Sequence, residues 1–360
     1  MMKLAFYINS IRGGGAERVI TNLATYFSNN DHEVILITSF YSEWEYPYDE
    51  KIKRIVLEDE DKKTNRIKKN VSRVIKLRRV IKKEKPDCLI SFMAEPNYRA
   101  LLACSGLKTK SIISVRNDPA IEYSGKIGWL LAHILLPFAD GCVFQTTDAQ
   151  EWFPKKLKKK STIIYNAVKD DFYRADRMPV HNLIVACGRL EEQKNYPLLI
   201  KAFAKAVDKI PDSRLFIYGE GSLKNEISDL IKKNNLENKV YLKGQINNVV
   251  KALEEADLFV LPSLYEGMPN ALMEAMAVGV PCISTDCPCG GPKMLFDGDG
   301  GILVANNNQL EFEKAIISVL SNGDKKRALG SQAKIKAKVF SSDKVYRRWG
   351  LFINNVCFHK

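Results

Sequence analysis

Residues 256–279 read ADLFVLPSLYEGMPNALMEAMAVG. The first part, Ala256 to Ser263, is an apolar run that predicts a buried strand of a parallel sheet, ending in a loop. Ala271 to Val278 is rich in Ala, Met and Leu, which favour a helix, and Gly279 is placed to end that helix. The stretch therefore predicts one strand–loop–helix unit of an α/β fold.

Two glutamates flank this turn, Glu266 in the loop and Glu274 about one turn inside the helix. Backbone N–H groups of residues 268–271 would point out of the helix start, where the helix dipole favours an anion. A sugar nucleotide fits both features, because its diphosphate would bind the N–H groups while Glu274 accepts from the ribose and Glu266 from the sugar. The alternative is an ordinary strand-to-helix connection with two solvent-facing acids.

Length and charge narrow the class of protein. A chain of 360 residues fits two domains of roughly 150–180 residues each. The net charge of +13 indicates an anionic partner, which could be nucleic acid, an acidic membrane surface or a phosphorylated substrate. No secretory leader is predicted, because Met1 is followed almost at once by a short strand-like run. The longest apolar stretch, Ile127 to Leu136, is too short to cross a bilayer and predicts a buried helix.

The N-terminal half opens like a doubly wound α/β domain. A strand from Leu4 to Asn9 leads through Gly13–Gly15 into an amphipathic helix. These glycines let the backbone approach a ligand, but Arg18 stands where the dinucleotide-binding fingerprint needs a third glycine. Further strands are predicted within residues 33–38, 87–92, 111–118, 141–147 and 161–168.

Residues 51–85, between the second and third of these strands, are intensely basic. One apolar helix face surrounded by Lys and Arg is predicted there, formed by Ile67, Val71, Val74, Ile75 and Ile81. The charge is expected either as a solvated helix face or as a platform for anionic lipid head groups, and residues 155–160 add a second basic cluster. Nucleic acid would also suit this charge, but no nucleic-acid-binding motif accompanies it.

The second half repeats the alternation of strands and helices, which predicts a parallel sheet covered by helices. Its strands are predicted within residues 182–188, 215–222, 240–245, 256–263 and 281–285. We assign residues 1–168 to an N-terminal acceptor-binding domain and 169–340 to a C-terminal nucleotide-sugar-binding domain, with a final helix at about 341–360 packing back on the first. Two doubly wound, Rossmann-like domains would place their strand ends, and any ligand, at a central cleft.

Four motifs in this order resemble the family 4 glycosyltransferases. They are GGAER at residues 14–18, GRL at 188–190 with Lys194 and Asn195, GEG at 219–221, and YEGMPN at 265–270 with Glu274. The resemblance covers nearly the whole chain and implies the GT-B fold, a retaining reaction, and no metal or cofactor besides the nucleotide-sugar co-substrate. The nearest match to a D-x-D metal motif, residues 297–299, is interpreted as a glycine turn.

The resemblance also implies roles for individual residues. Arg189 and Lys194 would neutralise the donor diphosphate, whose negative charge grows as the glycosidic bond breaks. Glu266 would lie against the donor sugar, and Glu274 would bind the ribose. The other donor-binding positions implied are Gly14, Gly15, Gly188, Gly221, Gly267, Met268, Pro269 and Asn270, with Gln245 and Ile246 as the base-stacking edge.

Two positions depart from the family pattern. Arg116 stands where many relatives carry a histidine, and Met294 where they often carry a glutamate. A guanidinium cannot act as a base. We therefore expect Arg116 to hold an acceptor phosphate or a donor sugar hydroxyl instead.

By resemblance, the chain would transfer a sugar from a nucleotide donor, most simply a UDP-sugar, to a glycan on a polyprenyl-diphosphate lipid. The product would be a surface polysaccharide such as capsule, exopolysaccharide or O-antigen, and no nucleic acid partner is expected. A cytoplasmic location at the inner face of the cell membrane agrees with scattered cysteines and a basic N-terminal half. Two alternatives remain open, a sugar-nucleotide epimerase of the same fold and a basic nucleic-acid-binding protein.

Overall fold

The computed structural model describes residues 1–58, 65–246 and 248–358. The chain forms two compact units, Met1–Asn166 with Val345–Lys360, and Ala167–Lys344. Residues 59–64 of the basic segment and residues 359–360 of the predicted final helix lie outside the described residues. No helix in the described ranges combines the length and the apolar composition needed to cross a bilayer.

The first unit is built on a parallel seven-stranded sheet. Its strands are β1 Lys3–Ile8, β2 Glu33–Phe40, β3 Lys53–Glu58, β4 Cys88–Phe92, β5 Lys110–Ser114, β6 Gly141–Phe144 and β7 Ser161–Ile163. They lie in the order β3-β2-β1-β4-β5-β6-β7, and every neighbouring pair is parallel. Strand β4 is buried along its whole length, as expected of a parallel strand covered by helices on both faces.

The helices of this unit connect its strands. They are α1 Gly15–Ser28, α2 Arg66–Glu84, α3 Ala94–Cys104, α4 Pro119–Glu122, α5 Gly125–Leu135, α6 Thr147–Glu151 and α7 Lys155–Lys158. The last helix of the chain also packs here, because the Trp349 ring stacks on Phe92 at 5.9 Å and Tyr346 lies 4.6 Å from Tyr26 between ring centroids. Trp349 is only 1% exposed, so this helix completes the core of the first unit.

The second unit is built on a parallel six-stranded sheet in the order β10-β9-β8-β11-β12-β13. Its strands are β8 Leu183–Cys187, β9 Arg214–Tyr218, β10 Val240–Gly244, β11 Leu258–Leu261, β12 Cys282–Asp286 and β13 Ile302–Ala305. Its helices, with the last helix of the chain, are α8 Asp170–Arg174, α9 Tyr196–Val207, α10 Lys224–Lys233, α11 Val249–Glu255, α12 Asn270–Val278, α13 Gly291–Phe296, α14 Gln309–Leu320, α15 Gly323–Ala337 and α16 Ser342–Phe358.

The strand–loop–helix unit predicted in residues 256–279 is confirmed. Strand β11 is buried at every position, and α12 runs from Asn270 to Val278 with Gly279 as the residue that ends it. Gly279 has a φ of +88°, a left-handed conformation that glycine adopts without steric cost. Two parallel α/β sheets, as the sequence predicts, therefore form the framework of the molecule.

Two edge strands were absent from the sequence prediction, β3 within the basic segment and β13 after the fifth predicted strand of the second half. Both lie at the end of their sheet, so each pairs on one side only. Strand β3 reads KRIVLE and is mostly half-buried. An edge strand needs no continuous apolar run, and its pattern is therefore weaker than that of a central strand.

Helix α2 buries a different face from the predicted one. Leu77 and Ile81 are buried as core residues, and Arg73, 4% exposed, lies beside them. Arg73 bonds to Glu58 at the end of β3, with Nη2 2.9 Å from Oε2, which satisfies its charge. The predicted stripe is therefore wrong in part, since Ile67, Val71 and Ile75 are exposed.

The prediction of a buried helix at residues 127–136 is wrong. Helix α5 exposes most of its apolar side chains and buries only Ala132. The sequence pattern is uniformly apolar here, and such a pattern cannot show which face a sheet covers.

Candidate functional site

The loops after five neighbouring strands of the second sheet join at its carboxyl edge. The loops after β9, β8, β11 and β12 are hydrogen-bonded to one another through the backbone, and the loop after β9 also bonds to the last residue of β10. The bonds are Gly219 N to Gly244 O at 2.8 Å, Leu190 N to Glu220 O at 3.0 Å, Leu264 N to Gln193 O at 2.8 Å, and Glu266 N to Pro288 O at 3.3 Å. Parallel strands deliver their following loops to one edge, so residues distant in the sequence form a single surface there. We call this surface the strand-end site.

A partly buried ion pair lies within the strand-end site. Lys194 Nζ donates to Glu266 Oε1 at 2.5 Å, and the side chains are 16% and 8% exposed. Ser263 Oγ donates to the same carboxylate oxygen at 2.7 Å. Because the pair is largely shielded from water, either partner left alone would be a poorly solvated ion.

Glycine at position 188 provides space for the lysine. A Cβ on Gly188 would lie 3.0 Å from Lys194 Cε and 3.2 Å from the Tyr196 hydroxyl oxygen. Tyr196 donates from that hydroxyl to the Gly188 carbonyl at 3.0 Å. The stem of Lys194 thus packs over a backbone that has no side chain, and its ammonium is directed to Glu266.

The GEG motif packs against the GRL motif without room for side chains. A Cβ on Gly219, whose φ is +149°, would lie 1.9 Å from the Gly188 carbonyl oxygen. A Cβ on Gly221 would lie 2.4 Å from the Leu190 carbonyl oxygen. Both contacts are with backbone, which cannot swing aside as a flexible side chain would. The two glycines therefore fix the position of the loop that carries Arg189.

Gly291 likewise packs against the backbone of the loop that carries Glu266, without room for a side chain. A Cβ on Gly291 would lie 1.7 Å from the Gly267 carbonyl oxygen and 3.1 Å from Pro269 Cδ. The glycine after β12 thus allows the two loops to touch. Met294, three residues later on α13, is half-buried.

The two predicted glutamates are both buried, each 6% exposed. Glu274 lies inside α12 close to the end of β8. Burial raises the pKa of the Cys187 thiol there, and the Glu274 carboxylate adds to that rise. The start of α12, at Asn270, follows the buried residues Gly267 and Met268. The first amides of a helix have no acceptor within it, which suits them to an anion.

The remaining predicted residues of this unit differ in exposure. Arg189 and Gln245 are exposed, while Gly188, Gly221 and Ile246 are half-buried. Gln245 and Ile246 follow Gly244, at the end of β10 and beside the GEG loop. The structure therefore brings Lys194, Glu266 and the glycine loops together and presents the Arg189 side chain to solvent.

In the first unit, Gly14 and Gly15 stand at the N-terminus of α1. Gly15 is the first helical residue, and Gly14 is the residue before it. A Cβ on Gly14 would overlap the Glu17 carboxylate, 1.9 Å from Oε2. Because Glu17 is flexible, this glycine is less constrained than those of the strand-end site. The phosphate-binding role of both glycines stays a prediction.

Arg116 follows β5 in the first unit and is buried, with 8% exposure. Its guanidinium lies 4.4 Å from the Phe92 ring centroid and donates to Asn166 Oδ1, which also accepts from Gln145 Nε2 at 2.8 Å. Arg116 Nε is buried and has no hydrogen-bond partner among the described residues. Burial lowers the pKa of Arg116 to about 9, so the side chain is still a cation at neutral pH. Its contact with an acceptor or a sugar stays a prediction.

Glu122, at the end of α4, is a second titratable residue near Arg116; the residue is half-buried, and one of its carboxyl oxygens is fully buried. Burial raises the pKa of its carboxyl to about 7, although the Ala94 N–H donates to Oε1 at 2.8 Å and Arg116 favours the charged form. The other oxygen, Oε2, is buried without a hydrogen-bond partner in the described part of the chain. No sequence pattern indicates this residue, because the burial of its carboxyl oxygen depends on the packing of α3 and α4.

We expect the stability of the first unit to depend on pH through Glu122. Its pKa is higher in the folded than in the unfolded chain, so the folded chain keeps a proton that the unfolded chain releases. The free energy of unfolding should therefore fall by about 2–3 kcal/mol as pH rises from 4.5 to about 7. Urea unfolding across this range should show that Glu122→Gln flattens the slope. Glu43→Gln, at an exposed carboxylate of the same unit, should keep it, and an unchanged slope in Glu122→Gln would contradict the assignment.

Two further residues of the strand-end site were not predicted from the sequence. Ser263 bonds to Glu266, and Gln193 Nε2 donates to the Tyr265 carbonyl at 2.9 Å. Ser263 stands at the end of a buried strand, where polar residues of a parallel sheet often reach a site. That position was the only signal available for it. The contact of Gln193 depends on tertiary structure alone.

The segment at residues 297–299 forms the glycine turn that the sequence predicts, with a φ of +93° at Gly298. Its two carboxylates pair with one lysine. Lys336 Nζ lies 3.2 Å from Asp297 Oδ2 and 2.8 Å from Asp299 Oδ1. Across residues 1–58, 65–246 and 248–358, no group of three or more His, Cys, Asp or Glu side chains stands where it could hold a metal ion.

Two family models match this chain. The model described as Glycosyltransferase Family 4 matches residues 13–172, and the one described as Glycosyl transferases group 1 matches residues 176–336. The first model thus falls largely on the first unit, and the second model falls on the second unit, which carries the strand-end site.

Two relatives come from Campylobacter jejuni. One is the N-acetylgalactosamine-N,N'-diacetylbacillosaminyl-diphospho-undecaprenol 4-alpha-N-acetylgalactosaminyltransferase, which is 29% identical over 96% of this chain and 98% of its own length. The other is the GalNAc-alpha-(1->4)-GalNAc-alpha-(1->3)-diNAcBac-PP-undecaprenol alpha-1,4-N-acetyl-D-galactosaminyltransferase, which is 28% identical over 97% of both chains.

Among solved structures, Anabaena HepE in complex with UDP and glucose superposes with a TM-score of 0.82 at 16% identity. The match covers 99% of this chain and 100% of HepE. At this identity the likeness shows the fold alone. Together with the four motifs and the two family models, it establishes that the chain is an enzyme of the family 4 glycosyltransferases, with the GT-B fold.

Proposed function

We propose that this enzyme transfers a sugar, with retention of configuration, from a UDP-sugar to a glycan on a polyprenyl-diphosphate lipid. The reaction would need no metal and would serve a surface polysaccharide such as capsule, exopolysaccharide or O-antigen. It would take place at the inner face of the cell membrane. Support for the acceptor comes from the C. jejuni relatives, whose names specify undecaprenol-linked glycans, and support for UDP comes from the HepE complex.

The partly buried pair of Lys194 and Glu266 carries the proposal. Glu266 is fixed by Lys194 and Ser263 through one oxygen, Oε1, which leaves Oε2 able to accept from a sugar hydroxyl. An ammonium has three donors, so Lys194 can hold Glu266 and also donate to a diphosphate. One pair thus links the recognition of the sugar to the stabilisation of the leaving group.

The proposed chemistry is a substitution on one face of the sugar. The glycosidic C–O bond to the diphosphate breaks, the acceptor oxygen bonds to the same carbon, and the departing phosphate oxygen takes the acceptor proton. No protein base is then required. Lys194, with Arg189 from the exposed part of the same loop, would stabilise the charge that develops on the diphosphate, and preorganised charges of this kind supply a large part of a rate enhancement.

The donor site is tested by nucleotide binding. UDP, GDP, ADP and dTDP are added separately, with a chelator and without metal, to the wild type, Glu274→Ala and Glu237→Ala while thermal unfolding is followed. We expect UDP at one hundred times its Kd to add about 2.7 kcal/mol to the stability of the wild type. Glu274→Ala should lose most of this gain, because the ribose hydroxyls lose their acceptor. Glu237→Ala, at an exposed carboxylate before β10, should keep it.

The outcomes separate the parts of the proposal. If a nucleotide other than UDP stabilises the wild type and Glu274→Ala abolishes that gain, the ribose contact of Glu274 is supported and the donor is assigned to that other nucleotide. A gain that appears only after Mg²⁺ is added would contradict metal independence. Equal stabilisation of wild type and Glu274→Ala would remove Glu274 from the site. Transfer of labelled sugar to an undecaprenyl-diphosphate-linked acceptor, with the product's anomeric configuration read by NMR, tests acceptor and stereochemistry.

A further inference from the structure

Helix α5 and the turn after it expose an unusual concentration of apolar side chains. The exposed fractions are 75% for Ile127, 49% for Trp129, 49% for Leu130, 39% for Leu131, 52% for Ile134 and 67% for Phe138. Ile127, Leu130, Leu131 and Ile134 follow one another at helical spacing, so they form one outward face of α5, and Phe138 is exposed in the turn that follows. Trp129 lies on the flank of the helix, against His133. Soluble proteins rarely leave a contiguous apolar patch of this kind uncovered, and such a patch usually marks a binding surface.

A cluster of lysines adjoins this face in space, although it is distant in the sequence. Lys156 Nζ lies 4.5 Å from the Phe138 ring centroid, over its face. Lys160 Nζ donates to the Ala139 carbonyl at 3.2 Å. Lys155, Lys156 and Lys159 are exposed on and beside α7. We call the apolar face of α5 with these lysines the α5 surface.

The two segments that form this surface carry charge of one sign, although Glu151, at the edge of the second, pairs with Lys158 of α7. Residues 123–139 and 152–169 contain no Asp or Glu, whereas they contain Lys126 and the lysines of α7. A second copy of the chain docking through the same apolar face would bring two lysine clusters together, and their repulsion disfavours such a dimer. An anionic surface is complementary to both features.

The aromatic residues of α5 are held in fixed positions. The Trp129 ring stacks on His133 with centroids 4.0 Å apart, and His133 lies 4.6 Å from Trp152. His133 is held in place by a hydrogen bond between its Nε2 and the Trp152 carbonyl oxygen, which lie 3.0 Å apart. A preset tryptophan beside aliphatic residues and lysines is the composition of a helix that lies in the interface of a bilayer.

We propose that the α5 surface docks on an anionic phospholipid bilayer. Its apolar residues would enter the boundary between head groups and acyl chains, while the lysines of α7 would lie against lipid phosphates. The inference rests on the proposed function for the presence of a membrane-linked acceptor. It transfers the membrane contact from the basic helix α2, where the sequence suggested it, to α5.

Helix α2 offers a competing surface and therefore a matched control. It exposes Ile67, Val71 and Ile75 beside basic residues, but it has no exposed aromatic side chain. Its lysine Lys76 already lies 3.5 Å from Glu58. Two glutamates can be introduced on either helix at exposed isoleucines, so that charge and size change equally in both variants.

The test is flotation of the full chain with vesicles. The vesicles are equal parts phosphatidylglycerol and phosphatidylethanolamine, or phosphatidylcholine alone. We expect the wild type to bind the anionic vesicles at least ten-fold more tightly than the neutral ones. Ile127→Glu/Ile134→Glu should lower the partition coefficient at least ten-fold, and Lys155→Gln/Lys156→Gln/Lys159→Gln should lower it by roughly five-fold per lysine. Ile67→Glu/Ile75→Glu should bind like the wild type.

The depth to which α5 enters the bilayer is measured by the quenching of tryptophan fluorescence by lipids brominated in their acyl chains. We expect quenching in the wild type and its loss in Trp129→Phe. The proposal is overturned if the wild type does not bind anionic vesicles, if only the α2 variant loses binding, or if Trp129→Phe is quenched like the wild type. The proposal is also overturned if the wild type does not bind vesicles but sediments as a dimer, and Ile127→Glu/Ile134→Glu dissociates that dimer. The occupant of the α5 surface would then be a second copy of the chain.

Nucleotide binding separates this inference from the proposed function. The α5 variants should keep the UDP-induced rise in thermal stability, which also shows that they are folded. If the wild type binds UDP but does not bind vesicles, the docking surface alone is overturned. Vesicle binding through α5 without any nucleotide binding would overturn the donor assignment alone.

Discussion

Lys194→Met should lower kcat/KM for sugar transfer by about 10²- to 10³-fold, the range expected when one preorganised charge is removed from a transition state. Methionine keeps an unbranched stem in the space over Gly188 and removes only the ammonium. The loss should fall mainly on kcat, because charge on the leaving diphosphate develops as the bond breaks. Initial rates at saturating donor and acceptor measure it. Lys232→Met, an exposed lysine of the same unit, should leave the rate unchanged.

The same substitution should reduce stability, because Glu266 would keep Ser263 as a donor but lose its cation. We expect a loss of about 1–3 kcal/mol in urea unfolding. Glu266→Gln placed on Lys194→Met should recover part of that loss by removing the unpaired carboxylate, without recovering activity. The double variant thus distinguishes catalysis from folding. Near-normal turnover in Lys194→Met would remove Lys194 from the proposed mechanism.

The sequence predicted the parts of the fold that depend on continuous burial. Strand β11 and helix α12 are examples, since a central parallel strand needs an apolar run and the glycine after the helix stops it. It did not predict β3, because an edge strand is half-exposed and its KRIVLE sequence resembles the basic segment around it. The exposure of the apolar face of α5 could not be predicted from the sequence either, because the burial of a helix depends on which neighbouring elements cover it.

The candidate site shows the same division. Glu266, Lys194 and the glycine loops stand in local motifs, and the structure brings them to one edge of one sheet. The bond from Ser263 requires the end of β11 to turn back on itself, and the contact of Gly291 with Gly267 requires two loops 24 residues apart to touch. Neither follows from spacing. Sequence patterns record the preferences of single elements, whereas these contacts arise from the packing of one element on another.

Gly291→Ala should be among the most damaging substitutions that add a single methyl group. Gly291 is the first residue of α13, a position where alanine normally favours a helix. The new Cβ would lie 1.7 Å from the Gly267 carbonyl oxygen, so the loop of Glu266 must move. Overpacking of this kind costs about 1–3 kcal/mol, and a displacement near 1 Å at a reacting centre can lower the rate about 10²-fold.

Gly323→Ala is the matched control, because Gly323 is the first residue of α15 in the same unit. Its Cβ would meet only the end of the Arg327 side chain, at 3.5 Å. This variant should therefore be neutral or slightly stabilising in urea unfolding, and fully active. If Gly291→Ala behaved like Gly323→Ala in both unfolding and transfer rate, the loop of Glu266 would be free to shift. Its position would then not depend on close packing between the two loops, and the glycine after β12 would need another explanation.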